Sequence, residues 1–219
     1  IVVDNDQSED SLYLIKKLSQ KFPSANLKLY QNSENIGLYG NWNTCLLLGR
    51  SKWMAIISDD DLLKANWLSV MWESKDKLQD PILIGCDHEF NKKEYYRYKS
   101  FKKIFSFFDK TIQSKIKIRK LSVIDYFIEM PHVGLLGVLF NRKAAIEHGG
   151  FNKDYHPCSD YKLLADMSFL NKSYLINKKL VVHQIGSDNT SQKPESVYQG
   201  LLNNRKIQIN LISYMSFKI

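Results

Sequence analysis

Three consecutive carboxylates, Asp59-Asp60-Asp61, follow the apolar run Trp53-Met54-Ala55-Ile56-Ile57 and Ser58. Like charges at this spacing repel one another, so their placement needs a cause. Carboxylates favour a helix N-terminus, and a capping cluster would account for one or two of them. The other cause is a hard divalent cation, Mn2+ or Mg2+. Such an ion takes one or two protein carboxylates and completes its shell with substrate phosphates and water. Two further acids stand where chemistry is possible. Asp4 closes the apolar run Ile1-Val2-Val3, and Asp160 lies at the start of a helical pattern, where it or Ser159 would also serve as a cap. His183 ends the run Leu180-Val181-Val182, a position where a lone histidine is usually structural.

The elements around these residues follow from hydrophobic spacing. Ile1 to Asp4 reads as a buried strand. Ser8 or Asp10 caps a helix carrying Leu12, Ile15, Leu18 and Phe22, and Pro23 ends it. Leu27 to Tyr30 alternates as a second strand, and Gln31 to Leu38 is a polar loop. A helix from about Tyr39 to Gly49 then leads to the strand Trp53–Ile57. After a helix around Asn66 to Leu78, Pro81 introduces the strand Ile82–Cys86. Strands alternating with helices in this way predict βαβ units and a largely parallel sheet, with ligands at the carboxyl ends of its strands. Asp4 and the acidic run both occupy such ends. Beyond this half, Lys92–Lys120 reads as an insertion, followed by a helix near Ser122–Met130 and a strand at Leu135–Phe140. A helix from Ser159, strands up to His183 and a C-terminal helix over Pro194–Phe217 complete the chain.

Composition narrows the class. The 219 residues suffice for one α/β domain, and 44% hydrophobic with 25% charged residues is ordinary globular usage. No apolar run reaches the roughly 18–20 residues of a membrane-spanning helix. Ile1-Val2-Val3 passes straight into Asp4 without a basic region or cleavage site, which reads as no signal peptide. Cys45, Cys86 and Cys158 are odd in number and far apart, so neither a disulfide framework nor a zinc site is expected, and a reducing cytoplasm fits. The net charge of +8 points to an anionic partner. No zinc-finger, RNP-type or helix-turn-helix pattern is present, which disfavours nucleic acid. Within Lys92–Lys120, Lys99, Lys102, Lys103, Lys110, Lys115, Lys117, Arg119 and Lys120 interleave with Phe101, Phe105, Phe107 and Phe108. That stretch is either a solvated helical face or a segment lying on anionic lipid at the inner face of a membrane.

Four short motifs in order resemble the inverting glycosyltransferases of family 2, which have a GT-A fold. They are Ile1-Val2-Val3-Asp4 with Ser8-Glu9-Asp10, Asn35-Ile36-Gly37 with Asn41 and Asn43, Ser58-Asp59-Asp60-Asp61 as a D-x-D variant, and Gly149-Gly150-Phe151 leading to Ser159-Asp160. The resemblance spans residues 1 to 185, with a nucleotide-binding half over 1–90, an acceptor-binding half over 91–185 and a helical extension over 186–219. It implies an α/β GT-A domain whose donor is a UDP- or GDP-sugar and whose acceptor is a glycan or lipid-linked saccharide. Asp4 would contact the base, with Asn35, Gly37 and Asn41 near base and ribose, where glycine permits close approach. Asp59 would bond the ribose. Asp60 and Asp61 would lie nearest the metal, with His183 near metal or diphosphate, and Asp160 would be the catalytic base. His132 would line the acceptor cleft. The sequence departs from the family in three places. The family's first strand, with its Pro and Tyr, is absent; Asp4 to Ser8 is one residue longer than the commonest spacing; and the acidic pair is reduced to Ser159-Asp160.

Two rival readings stand beside this one. Asp4-Asn5-Asp6 after a strand also opens haloacid-dehalogenase-like phosphatases, although Gln7 and Ser8 match that motif poorly. A degenerate transferase domain would bind a nucleotide sugar without turning it over.

Overall fold

The computed structural model describes residues 1–6, 9–90, 116–132, 134–184 and 193–216. Strand β1 (Val2–Asp4) leads to helix α1 (Asp10–Lys21), strand β2 (Leu29–Gln31) and helix α2 (Gly37–Leu48). Strands β3 (Trp53–Met54) and β4 (Leu62–Leu63), helix α3 (Trp67–Asp76) and strand β5 (Leu83–Phe90) follow. The second half holds β6 (Ile118–Leu121), α4 (Val123–Ile128), β7 (Leu139–Asn141) and α5 (Arg142–Glu147). A 3-10 turn (Lys153–Tyr155), α6 (Ser159–Ser168), β8 (Ser173–His183) and α7 (Pro194–Ser216) end the chain.

The α/β class is as expected, but the sheet is mixed. β1 and β2 form a parallel pair of their own, while the larger sheet runs β3-β7-β5-β8-β4 with β6 also on β8. Within that larger sheet only β5–β8 is parallel, and β3–β7, β5–β7, β4–β8 and β6–β8 are antiparallel. The expected parallel sense holds where a helix carries the chain across, as α1 does between β1 and β2. β7 enters differently. Leu135 to Val138, expected as strand, instead pass through turns, and only Leu139–Asn141 pair, running against β5. The expected insertion is also shorter at its end, because Ile118–Leu121 is a strand against β8 and Arg119 pairs with Asp125 and Glu129. The basic and phenylalanine positions from 99 to 115 lie outside the described residues, while Lys117, Arg119 and Lys120 are exposed on or beside β6.

Alternation along the central strands explains the two cores. Leu83 and Phe140 face one cluster, with Leu46, Tyr126, Leu163, Leu164 and Ile207 from surrounding helices. Their neighbours Ile84 and Leu139 face the other, with Trp67 and Met71 of α3. Both faces of the sheet are therefore covered, as the apolar β5 run Leu83-Ile84 requires. The C-terminal helix adds Ile207 and Leu211 to the first cluster, and its Gln208 donates to the Phe127 carbonyl.

Two of the sequence motifs lock onto each other. Asn43 of α2 donates to the Phe151 carbonyl at 2.8 Å and accepts from the Phe151 N–H at 2.9 Å. Gly150 has φ +64°, and a Cβ there would meet Asn43 Oδ1 at 2.6 Å, so both the backbone and the contact require glycine. Asn43→Ala removes both bonds and leaves two peptide groups to find other partners. It should lower unfolding stability by about 2 kcal/mol in a denaturant titration; an unchanged midpoint would show that this clamp contributes nothing.

Candidate functional site

The acidic run is placed by β4, a strand of two residues. Leu62 and Leu63 pair antiparallel with Val182 and Val181, which sets Asp61 beside the end of β8. The Gln184 N–H donates to Asp61 Oδ1 at 3.3 Å. Burial drives the Asp61 carboxyl above its ordinary range, and Asp60 and Asp59 add to that push while Gln184 and His183 oppose it. Asp59 and Asp60 remain exposed on the turn, and Asp61 is half-buried. The capping alternative is not what this turn uses, because α3 begins beyond it with Asn66 at its N-cap position. His183 Nδ1 is buried and finds no hydrogen-bond partner among the described residues. The structure thus brings Asp61 and His183 together. Among the described residues, no three His, Cys, Asp or Glu side chains close into a metal cluster by themselves.

Asp4 and the Asn35-Gly37 loop meet across a network of amides. Asn32 Nδ2 donates to Asn5 Oδ1 at 2.7 Å and to Asn41 Oδ1 at 2.9 Å. Asn5 Nδ2 reaches the Gly37 carbonyl, and Asn35 Oδ1 accepts from the Gly37 N–H at 2.9 Å. Asn41 Nδ2 donates to the Val3 carbonyl at 3.1 Å, so Asn41 ties α2 to β1. Gly37 has φ +75° with open space where a Cβ would stand; its backbone angle, rather than a close neighbour within the chain, calls for glycine. Partial burial pulls the Asp4 carboxyl upward, but bonds from the Asp6 N–H, Ser11 and Gln31 outweigh it and hold the group below its ordinary range. Asp4, Asn35, Asn41 and Asp59 all line one cleft of about 1390 Å³.

Asp160 stands apart from that cleft. Helix α6 begins at Ser159, with Cys158 at the N-cap position and no side-chain cap, although Asp160 Oδ1 accepts from the Tyr161 N–H at 2.7 Å. Burial pushes the Asp160 carboxyl up to about 6, against the pull of the Tyr161 and Asp160 N–H groups. The residue keeps some surface, yet its carboxyl is walled in. Gly134 supplies part of that wall, since a Cβ there would lie 2.6 Å from Asp160 Oδ2. Tyr39 lies on another side: burial raises its hydroxyl, Asp160 adds to the effect, and the hydroxyl meets His156 Nδ1 at 3.3 Å.

His132 lies outside that cleft. It is buried, its Nε2 meets the Tyr126 hydroxyl at 2.9 Å, and burial lowers its pKa to about 3, which makes it a neutral core residue. Gly85 opens room for the ring, since a Cβ on Gly85 would meet His132 Nδ1 at 2.2 Å. Sequence reasoning missed Gln184, Gly134 and Tyr39. Gln184 follows His183 directly and was open to inference from the end of the strand; the other two carry no local signal.

A mixed sheet wrapped by helices, with carboxylates gathered at strand ends, is the GT-A architecture. The chain belongs to glycosyl transferase family 2, whose family model matches residues 1–136. TarS 1–349 of S. aureus, in complex with UDP, matches with TM-score 0.64 at 12% identity, over 94% of this chain and 54% of that one. The mannosyltransferase PcManGT from Pyrobaculum calidifontis, in complex with GDP-Man and Mn2+, matches with TM-score 0.63 at 14% identity, over the same 94% and 54%. The chain spans about half the length of these solved structures. No curated protein sequence matches it. Family membership removes the phosphatase reading of Asp4-Asn5-Asp6, in which Asp4 would be a nucleophile; here Asp4 accepts from the Asp6 N–H at 2.9 Å.

The raised Asp160 pKa has a consequence for stability. Between the ordinary carboxylate value of 3.8 and about 6, the folded state binds more protons at this group than the unfolded state does. Stability from this group is therefore greatest at low pH and is lost as pH rises through that window. Asp160→Asn carries no such penalty and should gain up to about 2 kcal/mol over the parent at pH 7, with the difference vanishing below pH ~4. Parallel denaturant titrations across pH check this; a constant difference would contradict the desolvated carboxyl.

Proposed function

We propose that the domain transfers a sugar from a UDP- or GDP-sugar to a hydroxyl of a glycan or lipid-linked saccharide, with inversion at the anomeric carbon, in the building of a polysaccharide. The observation that carries this is the pairing of β4 with β8, which sets the half-buried Asp61 beside His183 and its unpartnered Nδ1. A desolvated carboxylate and a bare imidazole nitrogen are suitable donors for Mn2+ or Mg2+. Asp60, Asp61 and His183 would hold the ion, and substrate phosphates would complete its shell. When bound, such an ion neutralises charge on the departing diphosphate.

The chain's own residues do the rest in this reading. Asp4, Asn35, Asn41 and Asp59 hold base and ribose along the cleft, with Gly37 shaping the loop beside it and Asn41 acting partly by fixing β1. Asp160, with its pKa near 6, is ionised at neutral pH yet basic enough to draw a proton from the acceptor hydroxyl. The hydroxyl oxygen attacks the anomeric carbon as the bond to the diphosphate breaks on the opposite face. The acceptor is met at the cytoplasmic face of a membrane, which fits the excess of lysine and arginine.

Two variants separate donor binding from proton transfer. Asp61→Ala should weaken Mn2+-dependent binding of UDP or GDP at least about tenfold in calorimetry, with the fold intact. Asp160→Asn should bind the nucleotide normally yet lose transfer by about 10²- to 10⁴-fold. Unchanged nucleotide binding in the first variant sinks the metal assignment, and near-parental transfer in the second sinks the base.

A further inference from the structure

Phe90 closes β5 and, among the described residues, packs into neither core cluster. A half-buried aromatic side chain at a strand end, outside the core, calls for another partner. Strand register gives the face it occupies, because residues directly opposite on paired strands share a face. Phe90 stands opposite His183, and His88 opposite Val181. On the other side of β8, Leu62 and Leu63 stand opposite Val182 and Val181, so Asp61 takes the place across from His183. Phe90, His183 and Asp61 therefore form one row across β5, β8 and β4. Glu89 turns to the opposite face and pairs with Lys64 at 2.8 Å, as alternation requires.

The row grades from a carboxylate through an imidazole to an apolar ring. The Phe90 ring meets the His88 ring edge-on, with centroids 4.6 Å apart and planes at 87°. It meets the His183 ring at 5.8 Å and 54°. Two imidazoles thus fix its orientation in advance, which lowers the ordering cost of binding. Asp4 and Asp59 line the cleft, Asp61 and His183 stand at its acidic end, and Phe90 lies one strand spacing, about 5 Å, beyond His183. A nucleotide sugar is laid out in the same order, with base, ribose, diphosphate and then the sugar ring. An aromatic face accepts polarised C–H groups rather than hydroxyls. The part of the donor that carries a C–H face next to its diphosphate is the pyranose.

We propose that Phe90 is a specificity-determining residue, the platform on which the transferred sugar stacks, with His88 holding that platform in place. This role rests on the nucleotide-sugar reading above. It adds that the sugar is chosen by its apolar face. A ring that turns C–H bonds toward Phe90 stacks, whereas one that turns an axial hydroxyl there leaves the hydroxyl without a partner.

Calorimetry with Mn2+ on the parent, Phe90→Ala, Phe90→Leu and Phe90→Tyr tests this. The ligands are UDP, GDP, UDP-glucose, UDP-galactose, UDP-N-acetylglucosamine and GDP-mannose. Removing roughly 50 Å² of apolar surface from water corresponds to about tenfold in affinity. Phe90→Ala and Phe90→Leu should therefore weaken the tightest nucleotide sugar about tenfold, while UDP and GDP bind as they do to the parent. Phe90→Tyr keeps the flat face and should match the parent. Leucine matching the parent, or tyrosine no better than leucine, would show that no flat face is used. Equal losses for nucleotide and nucleotide sugar would show that the ring only supports His183. Each of these overturns the proposal. Unchanged nucleotide-sugar affinity in Phe90→Ala overturns it too, and a raised acceptor KM in that variant would give the ring to the acceptor instead. A parent that binds neither UDP nor GDP fails the nucleotide-sugar reading itself and this role with it, so the two failures are told apart.

Discussion

Strand β8 is the member on which the rest of the second half depends. It pairs with β5 in parallel and with β4 and β6 antiparallel, so three strands take their register from it. Its length lets one end anchor the core, through Ser173 and Ile176, while the other end reaches the acidic turn at His183. Two register shifts near Cys86, Asp87 and His88 let β5 follow β8 all the way to Phe90 opposite His183. Were β8 to slip by one residue, every side chain would change face. Asp61 would then no longer face the position His183 holds.

The local consequences are electrostatic. Three acids in a row are tolerated because two stay in solvent and only Asp61 is drawn inward. It meets the Gln184 N–H there, but burial still wins, so the group is held in a state that a cation would relieve. Asp160 shows the same balance elsewhere: a first-turn carboxylate that helix polarity should favour as an anion is nevertheless raised, because its surroundings exclude water. In both groups desolvation is the largest cause of the rise.

Much of this was legible in the residues. The strand at Ile1–Asp4 and the helix α1 follow simple periodicity, and the order of four motifs points to the family, but β1 is not buried as its apolar run implies, and the strand expected over Trp53–Ile57 pairs only at Trp53–Met54. What escaped was short or non-local. Leu62-Leu63 is too brief to show any period, yet it is the strand that brings Asp61 to His183. The antiparallel entry of β7 follows from a turn through Leu135–Val138 whose apolar residues read as strand, because burial in a turn and burial in a sheet look alike in sequence. His132 is expected at the acceptor cleft, and only the tertiary gap over Gly85 makes it core. Asn43 and Gly150 are 107 positions apart and reveal their partnership only in three dimensions.

The metal assignment requires that Asp61 and His183 jointly face a metal-bound nucleoside diphosphate. Paramagnetic broadening of histidine ring signals by substoichiometric Mn2+ reads this at a single residue, with the buried His132 as an internal reference. His183 should broaden selectively when UDP or GDP is present, and His132 should stay sharp. Nucleotide bound with Mn2+ while the His183 signals stay as sharp as those of His132 would contradict it.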